Sequence, residues 1–282
     1  MLVLDSVKAA QQWCLEQKRA GRSIGLVPTM GYLHEGHLSL VQQAREQCDV
    51  VVVSIFVNPI QFGVGEDFET YPRDLNRDKA LLREKEVDAV FTPCNSDMYP
   101  AGYHSFVEVG GEITAKLCGA SRPGHFKGVT TVVSKLFNIC LPDKAFFGQK
   151  DAQQVMVIEK MVRELNFPLQ IVRVPIVREE DGLAKSSRNV YLDEEQRRQS
   201  LVISRALGEA ETLIRQGERN VARLKDVMTT VIASSPQAAI DYVEIYDAAD
   251  LGDIERIDRN ALMAVAVKFG GTRLIDNRLV EV

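Results

Sequence analysis

The chain has 282 residues, 45% hydrophobic and 26% charged, with a formal net charge of -5. These proportions belong to a chain with a packed core and exclude wholesale disorder. The mildly acidic balance argues against long nucleic acid as the main partner, since such binding draws on clustered Lys and Arg.

At the N-terminus, MLVLDSVKAAQQWCLEQKRAG offers Asp5 or Ser6 as the cap of an amphipathic helix. It lacks the basic start and apolar run of a secretory signal, so cytoplasmic residence is the expectation. Ser23 to Val27 reads as a strand, broken at Pro28 and Gly31, with a helix continuing through Leu38 to Gln47. The β-branched run from Val50 to Val57 is too short to cross a bilayer as a helix, and no membrane partner is expected. Its lack of alternation predicts a parallel strand covered on both faces. Further along, helices are predicted at Arg73 to Lys85, Thr130 to Leu141 and Ala152 to Leu165, and strands at Asp88 to Phe91, Lys144 to Phe147 and Leu169 to Val174. This strand-helix alternation predicts an α/β fold, a Rossmann-like, doubly wound parallel sheet, over residues 1–175.

After Pro175 the texture changes. A loop of charged and small residues from Arg178 to Asn189 precedes helical patterns at Glu194 to Gln216 and Val221 to Ser234, then strands at Ala239 to Tyr246, Ala261 to Phe269 and Thr272 to Ile275. Residues 176–282 therefore read as a smaller C-terminal α+β domain. The five cysteines are odd in number and widely spaced, without metal-ligand spacing, which suits a reducing compartment.

The densest chemistry lies in GLVPTMGYLHEGHLSL, residues 25–40. Helix starts carry backbone N–H groups without intrahelical partners and attract phosphate oxygens. His34 and His37, three apart, share one side of such a turn, and Gly36 between them leaves the backbone accessible. Imidazoles donate hydrogen bonds to a phosphoryl group as its charge redistributes.

Four other segments are candidates, each with a plain alternative. Asn58 and Gln61 end a strand, where ligands of open α/β sheets sit, and their amides suit hydroxyls and carboxylates; such residues also satisfy turn backbone. Arg122-Pro-Gly-His-Phe-Lys-Gly128 reads equally as a mobile basic loop near phosphate or a solvated surface loop. In Phe146 to Asp151, Gly148 permits close approach, Lys150 supplies a compact charge, and Asp151 caps a helix or holds a ribose hydroxyl; Gln153 and Gln154 follow. Lys185-Ser186-Ser187-Arg188-Asn189 reads as a phosphate clamp or as a hinge between domains.

Together, PTMGYLHEGH, VSIFVNPIQF, YPRD, GASRPGHFKGV, FFGQKDAQQ, KSSRN and RLIDN resemble the pantothenate synthetase, or pantoate–beta-alanine ligase, family along the whole chain. That family is a homodimeric branch of the nucleotidyltransferase-like enzymes, which share an HIGH-type motif and a Lys-Ser loop with class I aminoacyl-tRNA synthetases. The resemblance implies a reaction dependent on ATP and Mg²⁺, in which (R)-pantoate is activated as pantoyl adenylate and then joined to beta-alanine. It implies an ATP- and pantoate-binding domain at residues 1–175 and a lid at 176–282. It assigns ATP to Met30, Gly31, Tyr32, Leu33, His34, Glu35, Gly36 and His37, to Gly148, Gln149, Lys150 and Asp151, to the Val177 backbone, and to Lys185, Ser186, Ser187 and Arg188. His37 is the family's proposed proton donor, and His34 and Lys150 join it as catalytic candidates. Gln61 and Gln154 resemble the pantoate-binding glutamines, with Gln61 also facing beta-alanine, and Asn58 is grouped with them. The Mg²⁺ ligands stay unassigned.

Two departures stand out: many relatives carry Glu where Gln149 stands and an apolar residue at Lys185. Other readings remain open at this point. A related nucleotidyltransferase would join AMP or CMP to a phosphorylated acceptor, which Gln61 and Gln154 suit less well than a small hydroxy acid. A nucleotide-sensing module without catalysis would have no need of both histidines and Lys150.

Overall fold

The computed structural model describes residues Met1–Val282, which divide into two compact units. The first holds Met1–Val109, Arg122–Gln149 and Val157–Pro175; the second holds Gly110–Ser121, Lys150–Met156 and Ile176–Val282.

The first unit is built on a parallel sheet of β1 (Leu2–Leu4), β2 (Ile24–Thr29), β3 (Val50–Ile55), β4 (Ala89–Phe91), β5 (Lys144–Gly148) and β6 (Gln170–Val174), in the order β1-β4-β3-β2-β5-β6. The intervening helices are α1 (Val7–Arg19), α2 (Glu35–Gln47), α3 (Leu75–Glu84), the single turns α4 (Asn95–Met98) and α5 (Cys118–Ser121), α6 (His125–Cys140) and α7 (Ala152–Glu164). Of these, α5 and the first residues of α7 belong to the second unit. Val50 to Val53 are fully or almost fully buried, as a run of apolar residues on a two-sided parallel strand requires. Chain order reverses between β2 and β5, so the crevice at their carboxyl ends is the switch point where ligands of open α/β sheets bind. The Met30–His37 segment leaves one of these strands and Gly148 closes the other.

The second unit carries the antiparallel sheet β7 (Ala238–Asp247), β8 (Ala261–Phe269) and β9 (Thr272–Val280). With it come α8 (Glu194–Gln199), α9 (Val202–Arg215) and α10 (Val221–Ala233). Ile203, Leu207, Leu224 and Met228 of the helices pack with Met263, Val265 and Phe269 of the sheet.

Several predicted bounds differ for identifiable reasons. Leu2–Leu4, absent from the expected strands, pairs with β4 as a three-residue edge strand. The expected helix Glu194 to Gln216 is two helices, divided at Ser200, whose hydroxyl bonds the Arg197 carbonyl. The Arg122–Gly128 segment is neither of the two loops expected of it. Gly124 at φ 82 turns the chain and α6 starts at His125, five residues before the predicted start. The final strand continues past Ile275 through Asp276 and Asn277, buried polar residues that read as loop formers.

Phe146 is fully buried in β5 and packs in the core with Val27, Leu33 and Val174. Phe146→Ala is expected to destabilise the protein by about 3–5 kcal/mol, measured by urea denaturation; a loss below about 1 kcal/mol would show that this core position is not tightly packed.

Candidate active site

The corner after β2 is shaped by donors that need acceptors. Gly31 (φ 83) and Tyr32 (φ 50) both lie in the left-handed region. A side chain at Gly31 would meet Ile55 Cγ2 at 2.9 Å. The turn aims the N–H groups of Tyr32 and Leu33 at the buried Asp78 carboxylate, 2.8 and 2.7 Å away. Burial pushes the Asp78 carboxyl above its ordinary range, and the two N–H groups oppose the rise by stabilising the anion. A cavity of about 280 Å³ adjoins the corner, lined by Met30, Tyr32, Phe56, Arg73 and Asp78 among others.

Next come the histidines. His34 is the N-cap of α2, a position usually held by Ser, Thr, Asp or Asn, and its Nδ1 accepts the Gly36 N–H at 3.1 Å. His37, in the first turn, reaches back with Nδ1 to the His34 N–H at 3.3 Å. The ring centroids are 4.1 Å apart. The N–H groups of Tyr32, Leu33 and His34 before α2, and of Gly36 in its first turn, are engaged by Asp78 and the imidazoles. A neutral imidazole with an accepting Nδ1 carries its proton on Nε2. In the neutral rings the donating edge of each imidazole is therefore Nε2–H.

Gln61 sits at the end of the one-turn helix Pro59–Gln61, held from several sides. Its side-chain carbonyl accepts from Asn58 Nδ2 at 3.0 Å and its Nε2 lies 3.3 Å from Met30 Sδ. Asn58, 1% exposed, also donates to the Gly128 carbonyl at 3.1 Å and accepts from Tyr99 OH at 2.7 Å. Its Nδ2 is thus shared between Gln61 and the Gly128 carbonyl, an arrangement that steadies the Gln61 amide while Oδ1 keeps a second acceptor site. Gly128 is required for that approach, since a Cβ there would stand 2.4 Å from the Ile60 carbonyl oxygen and 2.6 Å from Gln61 Cα.

The basic segment completes the support of Gln61. Arg122 grips Glu66 through two nitrogens at 2.7 and 2.6 Å and donates to His125 Nε2 at 3.0 Å. Arginine only donates, so Nε2 accepts and the proton of neutral His125 lies on Nδ1, which donates to the Gln61 backbone carbonyl at 2.9 Å. Arg122 and His125 are thus structural ties rather than loop residues facing solvent.

In the second unit, Lys150 lies in the turn Gln149–Asp151 that opens α7, with its ammonium 3.5 Å from Asp151. The two glutamines that follow are separated by their neighbours. Gln153 is buried and donates to the Ile113 and Lys116 carbonyls at 2.8 and 2.7 Å while accepting the Cys118 N–H at 2.9 Å. Gln154 is half-buried. Gly148, at the end of β5, faces open space on its side-chain side, so the backbone there is approachable. Val177 accepts the Lys185 N–H at 2.9 Å across a short hairpin, and Lys185 Nζ lies 2.8 Å from Glu179. Ser186 caps the turn Ser187–Tyr191 by accepting the Arg188 N–H at 3.3 Å. Lys185 is therefore charge-balanced within its own hairpin. No group of three or more His, Cys, Asp or Glu side chains forms a metal-ligand set.

An open parallel α/β sheet with paired imidazoles after β2 and an amide-bearing turn after β3 defines the class of fold. The family model for pantoate-beta-alanine ligases matches residues 2–279. Pantothenate synthetases from Syntrophomonas wolfei and Heliobacterium modesticaldum are 64% and 58% identical over 282 residues, each covering 100% of both chains. The pantothenate synthetase structure from Thermus thermophilus superposes with a TM-score of 0.93 at 46% identity, over 99% of each chain. The pantoate-beta-alanine ligase of Francisella tularensis, solved with beta-gamma ATP and beta-alanine, gives 0.81 at 35% identity, over 99% of this chain and 97% of that one. The chain belongs to the pantoate–beta-alanine ligase family.

Burial raises the Glu66 carboxyl, but the hydrogen bonds and charge of Arg122 outweigh it and hold the group below its ordinary range. A depressed carboxyl contributes stability that is present above the unfolded value, about 4.3, and lost as pH falls through the native one. Glu66→Gln is expected to flatten that part of the acid-unfolding curve, measured by urea denaturation between about pH 3 and 7. An unchanged slope would show that the pair does not contribute.

Proposed function

We propose that this ligase activates (R)-pantoate as its mixed anhydride with AMP before joining it to beta-alanine. The pantoate carboxylate attacks the α-phosphorus of ATP, and pyrophosphate leaves. The amine of beta-alanine then attacks the acyl carbon, AMP departs, the amine gives up a proton, and pantothenate is formed. A free carboxylate is a poor acyl donor to an amine; adenylation supplies the leaving group. What supports this reading is the pair of imidazoles fixed through Nδ1, because the neutral rings then carry Nε2–H, a donor suited to developing phosphate charge. The ATP and beta-alanine in the Francisella tularensis structure support the same substrates here.

Within this reading, His34 and His37 bind ATP phosphates, and His37 donates a proton to the departing pyrophosphate oxygen, to be replaced later by the proton the amine releases. Lys150, with Ser186, Ser187 and Arg188, stabilises charge on the phosphoryl oxygens. Gln61, steadied by Asn58 and His125, orients pantoate and then beta-alanine, with Gln154 and Asn58 as further contacts to the small substrates. Leu33 contributes only through backbone geometry, its side chain being buried. Mg²⁺ would arrive on the triphosphate, since the acidic and histidine side chains form no resident cage. Residues 1–175 would bind ATP and pantoate, and 176–282 would act as the lid. We assign the enzyme to the cytoplasm as a homodimer; no helix is long and apolar enough to cross a membrane.

Lys150→Ala is expected to slow pantoate-dependent pyrophosphate release by about 10²-fold or more while leaving the fold intact, read by single-turnover kinetics with circular dichroism alongside. A rate within a few-fold of the parent would remove Lys150 from the reaction. Gln61→Ala should weaken pantoate binding more than ATP binding in calorimetry, and equal losses would contradict its assignment.

A further inference from the structure

The late segment Arg273-Leu-Ile-Asp-Asn277 lies on β9, where Asp276 is opposite Val265 and Asn277 opposite Ala264. Asp276 and Asn277 are almost completely buried, as are those two apolar neighbours. Buried polar side chains in such surroundings are unfavourable unless their bonding groups are matched, and the partners of these two are specific. Asn277 Nδ2 donates to the main-chain carbonyl of Lys150 at 2.9 Å. Asp276 receives the guanidinium of Arg178 through both oxygens, at 2.7 and 2.9 Å, and its Oδ1 also accepts the Asn277 N–H at 2.7 Å. Arg178 in turn donates to the Gly182 carbonyl at 3.0 Å. It thereby closes the hairpin in which residue 178 pairs with Ala184 and the Lys185 N–H meets the Val177 carbonyl.

We propose that Asp276 and Asn277 are positioning residues for the adenylation step. Two adjacent side chains of one rigid strand hold two segments far apart in sequence: the turn bearing Lys150, and the hairpin from which Lys185, Ser186, Ser187 and Arg188 emerge. Consecutive strand residues point to opposite faces, so a single rigid dipeptide can reach both. The bidentate Asp276–Arg178 pair resists rotation as well as separation. The bond to the Lys150 carbonyl fixes the base of a long flexible side chain. The proposal rests on the reading that Lys150 acts on ATP, and the experiment separates the failure of one from the failure of the other.

The test measures pantoate-dependent pyrophosphate release in single turnover for the full-length chain carrying Asn277→Ala, Asn277→Asp, Asp276→Asn, Lys150→Ala, and the double variant Lys150→Ala with Asn277→Ala. Stability is followed by urea denaturation. Asn277→Asp keeps the side chain's size but presents oxygens to a carbonyl, so it breaks the bond without opening a cavity. For both Asn277 variants the expected result is a rate lower by about 10²-fold, with the KM for pantoate changed less than about threefold. The double variant is expected to be no slower than Lys150→Ala alone, because Asn277 acts through Lys150. Assays run at temperatures where urea curves show each variant fully folded exclude global unfolding as the cause. Parent-like rates in folded Asn277→Asp, or multiplicative losses in the double variant, would overturn the proposal while leaving Lys150 in place. A parent-like rate for Lys150→Ala would instead overturn the reading of Lys150 and the positioning role with it.

Discussion

The candidate site depends on satisfying the backbone donors released where β2 ends. A chain leaving a buried parallel strand through a left-handed Gly31-Tyr32 turn exposes N–H groups that cannot be left unpaired in the interior. Asp78 takes two of them, and the Nδ1 atoms of His34 and His37 take two more. That arrangement fixes which edge of each imidazole is turned back to the protein. It therefore also fixes which edge carries the proton. The needs of the backbone are met by the same two rings that the proposed reaction calls on for phosphate.

Support for the other residues follows a similar logic. Gln61 and Lys150 belong to separate compact units, yet each is held by bonds to its neighbouring backbone or side chain from a buried polar residue. Asn58 and His125 grip the first; Asn277 grips the second. In each case glycine or strand geometry allows the approach: Gly128 lets α6 lie against the Pro59–Gln61 turn, and the rigidity of β9 holds Asn277. Orientation of flexible amide and ammonium groups is a large part of what a ligase must supply, because bringing reactants into line removes much of the entropic barrier.

The sheet was legible because its signals are local. Val50–Val53 is a continuous β-branched run, and Gly31 marks the break after β2, whereas Pro28, also read as a break, lies inside the strand opposite Ser54. The histidine spacing announces a shared helical face. Less legible were features set by distant partners. Asp78 sits in the ordinary helical sequence LNRDKALL and acquires its role only when α3 is brought beside a turn 45 or 46 residues earlier. Gln153 and Gln154 look equivalent in sequence, but successive helical residues point about 100° apart, so one is buried among carbonyls and the other is not. Asn58 beside Gln61 reads as a second ligand amide, and its bracing of Gln61 shows only once its three partners are seen. The Arg122–Gly128 segment has the composition of a basic loop; the left-handed turn at Gly124 makes it a helix start, and the contacts of Arg122 with Glu66 and of His125 with Gln61 make it a brace.

The central claim, that each imidazole serves the fold through Nδ1 and the reaction through Nε2, is tested most directly by pantoate-dependent exchange of pyrophosphate into ATP in a His37→Asn variant. Asparagine can place an acceptor near the former Nδ1 but has nothing at Nε2. The account predicts a urea midpoint close to the parent's with exchange reduced by about 10²-fold or more, and partial recovery in His37→Gln, whose amide reaches toward the Nε2 position. Parent-like exchange in folded His37→Asn would contradict it.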